Sequence, residues 1–216
     1  MKSNSEGLMI DGVVSYIDRD NIDTDQIIPT EYLKSIKKFG YEDYLFDGWR
    51  YKDDGKLGIK KEDRDINKNF ILNNKPYDQS KILLTRDNFG CGSSREHAVW
   101  AIRDFGIKAV IASSFGDIFY NNCFKNGVLP IELEKNKINS LFDITKSKVL
   151  ELSIDIQKRK INLSNDEVIT FEVDNYLIDR IIYGLDDVDI TLKEKEQITD
   201  FEKNRIKTKP WIFAND

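Results

Sequence analysis

One histidine and two cysteines are the only imidazole and thiol groups in this 216-residue chain. A site built from several histidines is therefore excluded within it. So is the full set of thiolates that holds an iron–sulfur cluster, and chemistry that needs a cluster must receive it from a partner. Long apolar runs are missing as well. Nothing approaches the roughly 18 residues of a membrane-crossing helix, and Met1 to Gly7 is polar, without the apolar centre of a secretory leader. Basic residues are not in excess: 33 Lys and Arg stand against 38 Asp and Glu, a net charge of −5. That balance gives no broad attraction to nucleic acid or to an anionic membrane, and neither is expected as a partner. Cys91 and Cys123 suit a reducing compartment, so the cytoplasm is the expected location. No repeat or low-complexity linker divides the sequence. A chain of this length buries roughly 70% of its unfolded surface, so one domain needs neither disulfide nor metal for its core.

What the chain does have is the stretch Asn88-Phe89-Gly90-Cys91-Gly92-Ser93-Ser94-Arg95-Glu96-His97. It follows the apolar Ile82-Leu83-Leu84 and precedes Ala98, Ala101, Ile102 and Phe105, which recur at helical steps. Strand, glycine turn and helix are expected in that order. Ser93 and Glu96 match the S-x-x-E capping box, which starts the helix at the two serines. Gly90 and Gly92 open backbone conformations closed to other residues and let a ligand approach the main chain. The free N–H groups and positive dipole end of the helix favour an anion. Arg95 adds a planar fork suited to a carboxylate or phosphate. A cation in the first turn opposes the dipole, which implies a negative partner nearby. Two readings stay open from these residues alone, an anion site containing two hydroxyls or an ordinary capped helix. No Gly-Lys-Ser/Thr follows, and Arg95 stands where the last glycine of G-x-G-x-x-G would be, so generic nucleotide binding is weakly supported.

From the beginning of the chain, Leu8 to Ile17 reads as a strand, or two bent at Gly12. Asp18 to Asp25 is a polar loop whose aspartates are expected to bond their own backbone. It is not a calcium loop, because Ile22 sits at a ligand position and no glycine turn follows. Pro29 can start a helix through Lys38, with Tyr32, Leu33 and Ile36 as its buried stripe. Phe39, Tyr41, Tyr44, Phe46 and Trp49 suggest a satellite core or a partner-facing surface. Residues 50–69 mix charges of both signs and read as a solvated loop, with a brief strand at Asn69–Leu72. Ile107–Ala112 suits a buried parallel strand. Phe115–Phe124 suits a helix with Phe115, Ile118, Phe119 and Cys123 inward, stopped near Gly127, and Val128–Leu133 suits the next strand. Strand–helix–strand–helix–strand order from Lys81 to Leu133 indicates parallel α/β packing. Lys148–Ile156 and Glu167–Val173 are expected as antiparallel strands around a turn at Asn165. Tyr176–Tyr183 and Leu192–Phe201 are expected as helices, before a tail closing on Trp211.

The central stretch is joined in order by Asn21-Ile22-Asp23-Thr24-Asp25-Gln26-Ile27-Ile28-Pro29 before it. After it come Gly106–Ala112, Ser114-Phe115-Gly116-Asp117-Ile118-Phe119, Asn126-Gly127-Val128-Leu129-Pro130-Ile131 and Gly184-Leu185-Asp186-Asp187. Together they resemble the family of 3-isopropylmalate dehydratase small subunits of bacterial type, free-standing counterparts of the aconitase swivelling domain. The resemblance runs from near residue 8 to the C-terminus and is weakest over 51–80. It implies an α/β fold, the aconitase-type swivelling β/β/α domain, with a parallel sheet, additional antiparallel strands and flanking helices. One swivelling domain over 1–216 is expected, with a charged loop insertion near 50–80 and a helical C-terminal extension near 175–216.

The activity so implied is that of a hydro-lyase in leucine biosynthesis, active only with a large subunit that carries a 4Fe–4S cluster. It interconverts 2- and 3-isopropylmalate by dehydration and rehydration through 2-isopropylmaleate, so the substrate is a small dicarboxylate hydroxy acid. This chain itself is expected to bind no metal. The resemblance gives catalytic roles to Ser93, as the group that removes a proton, and to Asp25. It implies substrate contacts from Arg95, Ser94, Thr24, Tyr32 and Lys34. Cys91 sits near a helix start, a setting for a nucleophile, but the serine takes the chemical role, and His97 is expected to make a structural hydrogen bond. Two alternatives remain, a related hydro-lyase of the citraconate, methylmalate or homoaconitate type, and a non-catalytic anion-binding module. Tyr32–Ile36 does not decide between substrates, because an apolar pocket discriminates by only about 1–3 kcal/mol per methylene. Purified alone, the chain is expected to be colourless and inactive. A visible spectrum and an assay, each taken with and without the large subunit, test this, and robust turnover by the isolated chain would overturn a site split between two proteins.

Overall fold

Apolar residues face both ways along the central strands, and the architecture follows from the need to cover both faces. The computed structural model describes residues 9–34, 38–93 and 95–213. Ser94 and Ile36, both named above, lie outside the described residues. Strands β1 (Met9–Tyr16), β2 (Ile82–Leu84), β3 (Ala109–Ala112) and β4 (Leu129–Glu132) pair in parallel. Strands β5 (Glu151–Asp155), β6 (Lys160–Leu163) and β7 (Val168–Thr170) extend the sheet from β1 in antiparallel fashion. The order across the seven strands is β4-β3-β2-β1-β5-β6-β7. In β2, Ile82 and Leu84 enter one core and Leu83 the other; in β3, Ala109 and Ile111 divide from Val110 and Ala112 in the same way. Strands covered on both sides read as unbroken apolar runs, as these do. The antiparallel half contributes to the first core only, through Leu152, Ile154, Ile161, Leu163 and Ile169.

On the second face lie α1 (Thr24–Ile27), α2 (Asp47–Arg50), α3 (Glu96–Phe105) and α4 (Asp117–Lys125). They and the segments between them bring Ile27, Phe46, Val99, Ile102, Phe119 and Cys123 onto that core. The first face is covered by α5 (Lys135–Ser147), through Ile138, Leu141 and Phe142, and by α6 (Asn175–Tyr183), through Leu177 and Ile178. Beyond α6 lie α7 (Asp187–Leu192) and α8 (Lys195–Thr208), neither of which buries a residue, and a 3₁₀ turn, Pro210–Phe213. Among the described residues no helix is long and apolar enough to cross a membrane.

Several expectations need correction. The helix expected from Pro29 is a 3₁₀ helix, Thr30–Lys34, and Asn69–Leu72 leads into another short 3₁₀ turn, Ile71–Asn73, rather than forming a strand. The region expected to hold two antiparallel strands holds three, because β6 lies between the other two and pairs with both. Ile118 is half exposed on α4 instead of inward. The tail does not close on Trp211, which is exposed.

The largest difference is in the charged stretch. Most of its residues are solvated, but Tyr51 and Arg64 are buried. Arg64 donates from Nη1 and Nη2 to both carboxylate oxygens of Asp47 at 2.7 and 3.2 Å, and from Nε to Asp53 Oδ2 at 2.7 Å. The segment is thus pinned at its far end by a buried ion pair. Breaking such a pair from one side leaves a buried charge without a partner, which costs about 3–5 kcal/mol. Arg64→Ala is expected to lose stability on that scale in urea unfolding. Asp54→Ala, on the exposed side of the same segment, should stay within about 0.5 kcal/mol of the parent.

Candidate functional site at the glycine loop

The loop after β2 is clasped by the main chain that leaves β1 on one side and β3 on the other. Gly90 N–H donates to the Ile22 carbonyl at 2.7 Å, and Thr24 N–H donates to the Cys91 carbonyl at 3.0 Å. On the opposite side Phe89 N–H reaches the Ser114 carbonyl at 3.1 Å, and Gly116 N–H returns to the Phe89 carbonyl at 2.9 Å. Asp23 with Cys91 and Phe89 with Phe115 form isolated parallel bridges, so the parallel ladder continues past the strand ends. The site therefore sits beyond the carboxyl ends of adjacent parallel strands, where open α/β sheets commonly place ligands.

Glycine is required at two of these positions. Gly90 has φ +73°, and a Cβ there would stand 2.2 Å from the Phe119 ring. A Cβ on Gly116 would stand 2.7 Å from the Gly90 carbonyl oxygen. The two glycines let the loop and the start of α4 touch through backbone.

The capping box expected at Ser93 and Glu96 does not form. α3 begins at Glu96 with Arg95 as its N-cap, extended and without a side-chain cap. Glu96 instead accepts from Asn126 Nδ2 at 2.8 Å, and Trp100 Nε1 donates to Asn126 Oδ1 at 2.8 Å, which ties the end of α4 to α3. The reciprocal box lies in the preceding segment. Asp23 Oδ1 accepts from Gln26 N–H at 2.8 Å, and Gln26 Oε1 accepts from Asp23 N–H at 3.0 Å, starting α1. Freed from capping, Ser93 is exposed, and its carbonyl is held by the Thr24 hydroxyl at 3.0 Å.

Arg95 reaches across to Asp25. Its Nη1 donates to Asp25 Oδ1 and to Thr30 Oγ1, while Thr30 Oγ1 donates to the same carboxylate oxygen at 2.7 Å. The hydroxyl of Thr30, the largest influence, together with the Arg95 guanidinium holds the Asp25 carboxyl below the usual aspartate range, against the opposing effect of burial. Asp25 is thus the negative partner that a cation at a helix start calls for. Both hydrogen bonds of the Arg95 fork among the described residues start at Nη1. A cleft of about 300 Å³ opens here, lined by Thr24, Cys91, Ser93, Arg95, Asp117 and Ile118 among others. A larger one of about 700 Å³, between α4 and the β7–α6 connection, includes no part of the loop.

Of the residues expected at the site, the structure brings Thr24, Asp25, Ser93 and Arg95 together. Tyr32 is not brought to the cleft: it is buried and donates its hydroxyl to Asp47 Oδ1 at 2.9 Å. Lys34 is exposed at the end of its 3₁₀ helix and does not line the cleft. Thr30, Asp117 and Ile118 belong to the site and were not legible as such. The Ser114–Phe119 stretch carried a signal, but Thr30 carried none, because its role depends on where the chain folds back.

Cys91 is partly buried, and burial, followed by the Asp23 carboxylate, pushes its thiol up, opposite to an activated nucleophile. His97 packs by its ring, 4.5 Å from Trp100 and 5.5 Å from Tyr41. Burial, the largest influence, lowers its pKa, so it packs as the neutral ring. Cys123 is fully buried on the inward face of α4. Two thiols so placed do not fit an iron–sulfur cluster, and the described residues contain no group of three or more His, Cys, Asp or Glu able to hold a metal.

The sequence matches the family model of the aconitase C-terminal domain over residues 7–136. Over 187–215 it matches the model of the C-terminal domain of the 3-isopropylmalate dehydratase small subunit. A Magnetococcus marinus protein named 3-isopropylmalate dehydratase small subunit is 46% identical over 207 residues, covering 95% of this chain and 97% of its own. One of the same name from Marinobacter nauticus is 46% identical over 203 residues, 94% of each chain. The fold resembles a solved structure of 3-isopropylmalate dehydratase from Methanocaldococcus jannaschii, with a TM-score of 0.60 and 30% identity over 90% of this chain and 99% of that one.

The loop geometry makes a direct forecast. Gly90→Ala adds a methyl group where the Phe119 ring stands and forces an L-residue to positive φ, which should cost about 2–4 kcal/mol. Cys91→Ser should leave the melting temperature nearly unchanged, and thermal unfolding of both variants checks the contrast.

Proposed function

This chain belongs to the family of 3-isopropylmalate dehydratase small subunits, hydro-lyases of the aconitase group, and we propose that the Gly90–Arg95 loop facing Asp25 is its share of the active site. The reaction, with a large subunit, interconverts 2-isopropylmalate and 3-isopropylmalate by removing and restoring water through 2-isopropylmaleate, a step of leucine biosynthesis. The cluster is assigned to the large subunit, since the donors of this chain do not fit one. Within the proposal the chain acts as one swivelling unit in the cytoplasm, where its two thiols stay reduced.

The observation that carries the site is the Asp25–Thr30–Arg95 contact beside the exposed Ser93. Asp25 fixes one edge of the guanidinium, and Nε and Nη2, for which the described residues supply no acceptor, then present a preset fork to a substrate carboxylate. Ser93 stands before the positive end of α3. As an alkoxide it takes the proton from the carbon next to the one that loses its hydroxyl, and the C–H electron pair becomes the new double bond. Its negative charge is stabilised by the helix end and by Arg95. On rehydration the same oxygen returns the proton to either carbon, which is how the hydroxyl comes to change places. Departure of the hydroxyl falls to groups of the large subunit.

Because Ser93 is exposed and caps nothing, Ser93→Ala should melt like the parent. In the complex reconstituted with the large subunit it should lose roughly 10²–10⁴ in kcat. Arg95→Lys keeps the charge and loses the fork, so its main effect should be a raised KM. Steady-state kinetics with a melting curve for each variant checks both, and a near-normal kcat for folded Ser93→Ala would move the base to another group.

A further inference from the structure

The turn from Ile27 to Tyr32 carries Thr30, and consecutive residues of another segment grip it at both ends. Phe46 N–H donates to the Ile27 carbonyl at 2.7 Å, and Asp47 Oδ1 accepts the Tyr32 hydroxyl at 2.9 Å. Behind Asp47 stands Arg64, bidentate on its carboxylate and bonded also to the Asp53 carboxylate at 2.7 Å and the Asp53 carbonyl at 3.0 Å. Tyr32, Asp47 and Arg64 are 1%, 5% and 8% exposed. The Tyr32 ring stacks on Tyr44 at 4.0 Å, and the Arg64 guanidinium lies 4.0 Å over the Tyr51 ring. Gly55 closes the arrangement: a Cβ there would stand 1.6 Å from the Tyr32 hydroxyl oxygen and 2.9 Å from Arg64 Nη1. Phe46 itself holds φ +50°, an unfavourable conformation for a bulky side chain, kept by complete burial and a stack on Trp49.

A buried ion pair is weak evidence for stability, since well-packed apolar residues serve at least as well; its best-attested use is to fix one arrangement over others. Strain at Phe46 points the same way, because it too is maintained at a cost. Both features converge on the short turn that carries Thr30. We propose that Asp47 and Arg64 are positioning residues for the reaction, setting the Ile27–Tyr32 turn so that Thr30 holds Asp25 against Arg95. The proposal rests on the reading that Arg95 and Asp25 face the substrate. It gives the charged stretch a part in the site, although none of its residues lines the cleft.

Tyr32→Phe tests the link most sparingly. It keeps the ring stack and the Asp47–Arg64 pair and removes one hydroxyl. Arg64→Lys is the second variant, keeping the charge but unable to span two carboxylates. Thr30→Val deletes the contacting hydroxyl itself and sets the scale. Each is prepared as the full chain with carbon-13 label, and the Asp25 carboxyl is titrated by NMR; kcat and KM are then measured in the complex with the large subunit. Asp25 faces Thr30 and Arg95, and its folded value is depressed. The stability it contributes is therefore present above the ordinary aspartate pKa and is lost as pH falls through the lower folded one.

In Tyr32→Phe and Arg64→Lys the Asp25 midpoint should rise toward the ordinary value, in the direction of Thr30→Val. The ratio kcat/KM should fall by about 10- to 100-fold, as expected for a small misplacement of a preset group. The two variants combined should lose less than the product of their separate effects, because they act through one network. If both fold and Asp25 titrates as in the parent while Thr30→Val shifts it, the clamp is overturned and the site reading stands. If Thr30→Val and Arg95→Lys leave kcat/KM unchanged as well, the site reading itself falls. Failure of both Tyr32→Phe and Arg64→Lys to fold would make the pair a brace of the fold and overturn the positioning role.

Discussion

Main-chain hydrogen bonding carried beyond the ends of β1, β2 and β3 is the constraint on which the site depends. Three loops leave adjacent parallel strands, and each is bonded to its neighbour through backbone, at Gly90 to Ile22 and at Gly116 to Phe89, with side-chain bonds such as Thr24 to the Ser93 carbonyl and Asn88 N–H to Ser114 added to them. The approach is close enough that a Cβ on Gly116 would meet the Gly90 carbonyl oxygen, while one on Gly90 would meet the Phe119 ring. The positions of Ser93 and Arg95 are consequently set by sheet geometry, not by the conformation of an isolated loop. If Ser93 and Arg95 act as proposed, groups placed in this way need little further ordering when a substrate arrives.

Electrostatics completes what the backbone begins. A guanidinium at the start of α3 faces the positive end of a dipole, and the Asp25 carboxylate relieves it across the cleft. Thr30 is shared by both partners, so the fork, the carboxylate and the hydroxyl form a unit in which moving one disturbs the others. Among the described residues, both bonds from the guanidinium into that unit start at Nη1.

Much of this was legible in the residues. The apolar, β-branched segment Ile107–Ala112 contains β3, the glycine loop lies between β2 and α3, and the described residues after Asn175 are largely helical. What escaped was settled by contacts distant in sequence. S-x-x-E at Ser93 is a local pattern, but the loop is stretched between Ile22 and Ser114, and the helix starts at Glu96 instead. Asp23 and Gln26 do not stand out as the true box, because two aspartates beside them share their chemistry. Arg64 looks like one more charge in a polar stretch; nothing next to it in sequence announces Asp47, 17 residues away. β6 is four residues long, and its two inward residues, Ile161 and Leu163, follow three consecutive cations that mask the alternation.

The last two helices have a consequence for how the molecule comes apart. Neither α7 nor α8 buries a residue, and both core clusters draw on nothing beyond α6. An α-helix of 14 residues without a packed face is marginal in water. Its formation is therefore a local equilibrium, uncoupled from the cooperative unit formed by the sheet and the helices packed on it. Amide protection along the chain should accordingly show two populations, a slow one set by global opening and a fast one over α8, whereas α7 is tied to α4 and α6 through Asp187 and Lys193.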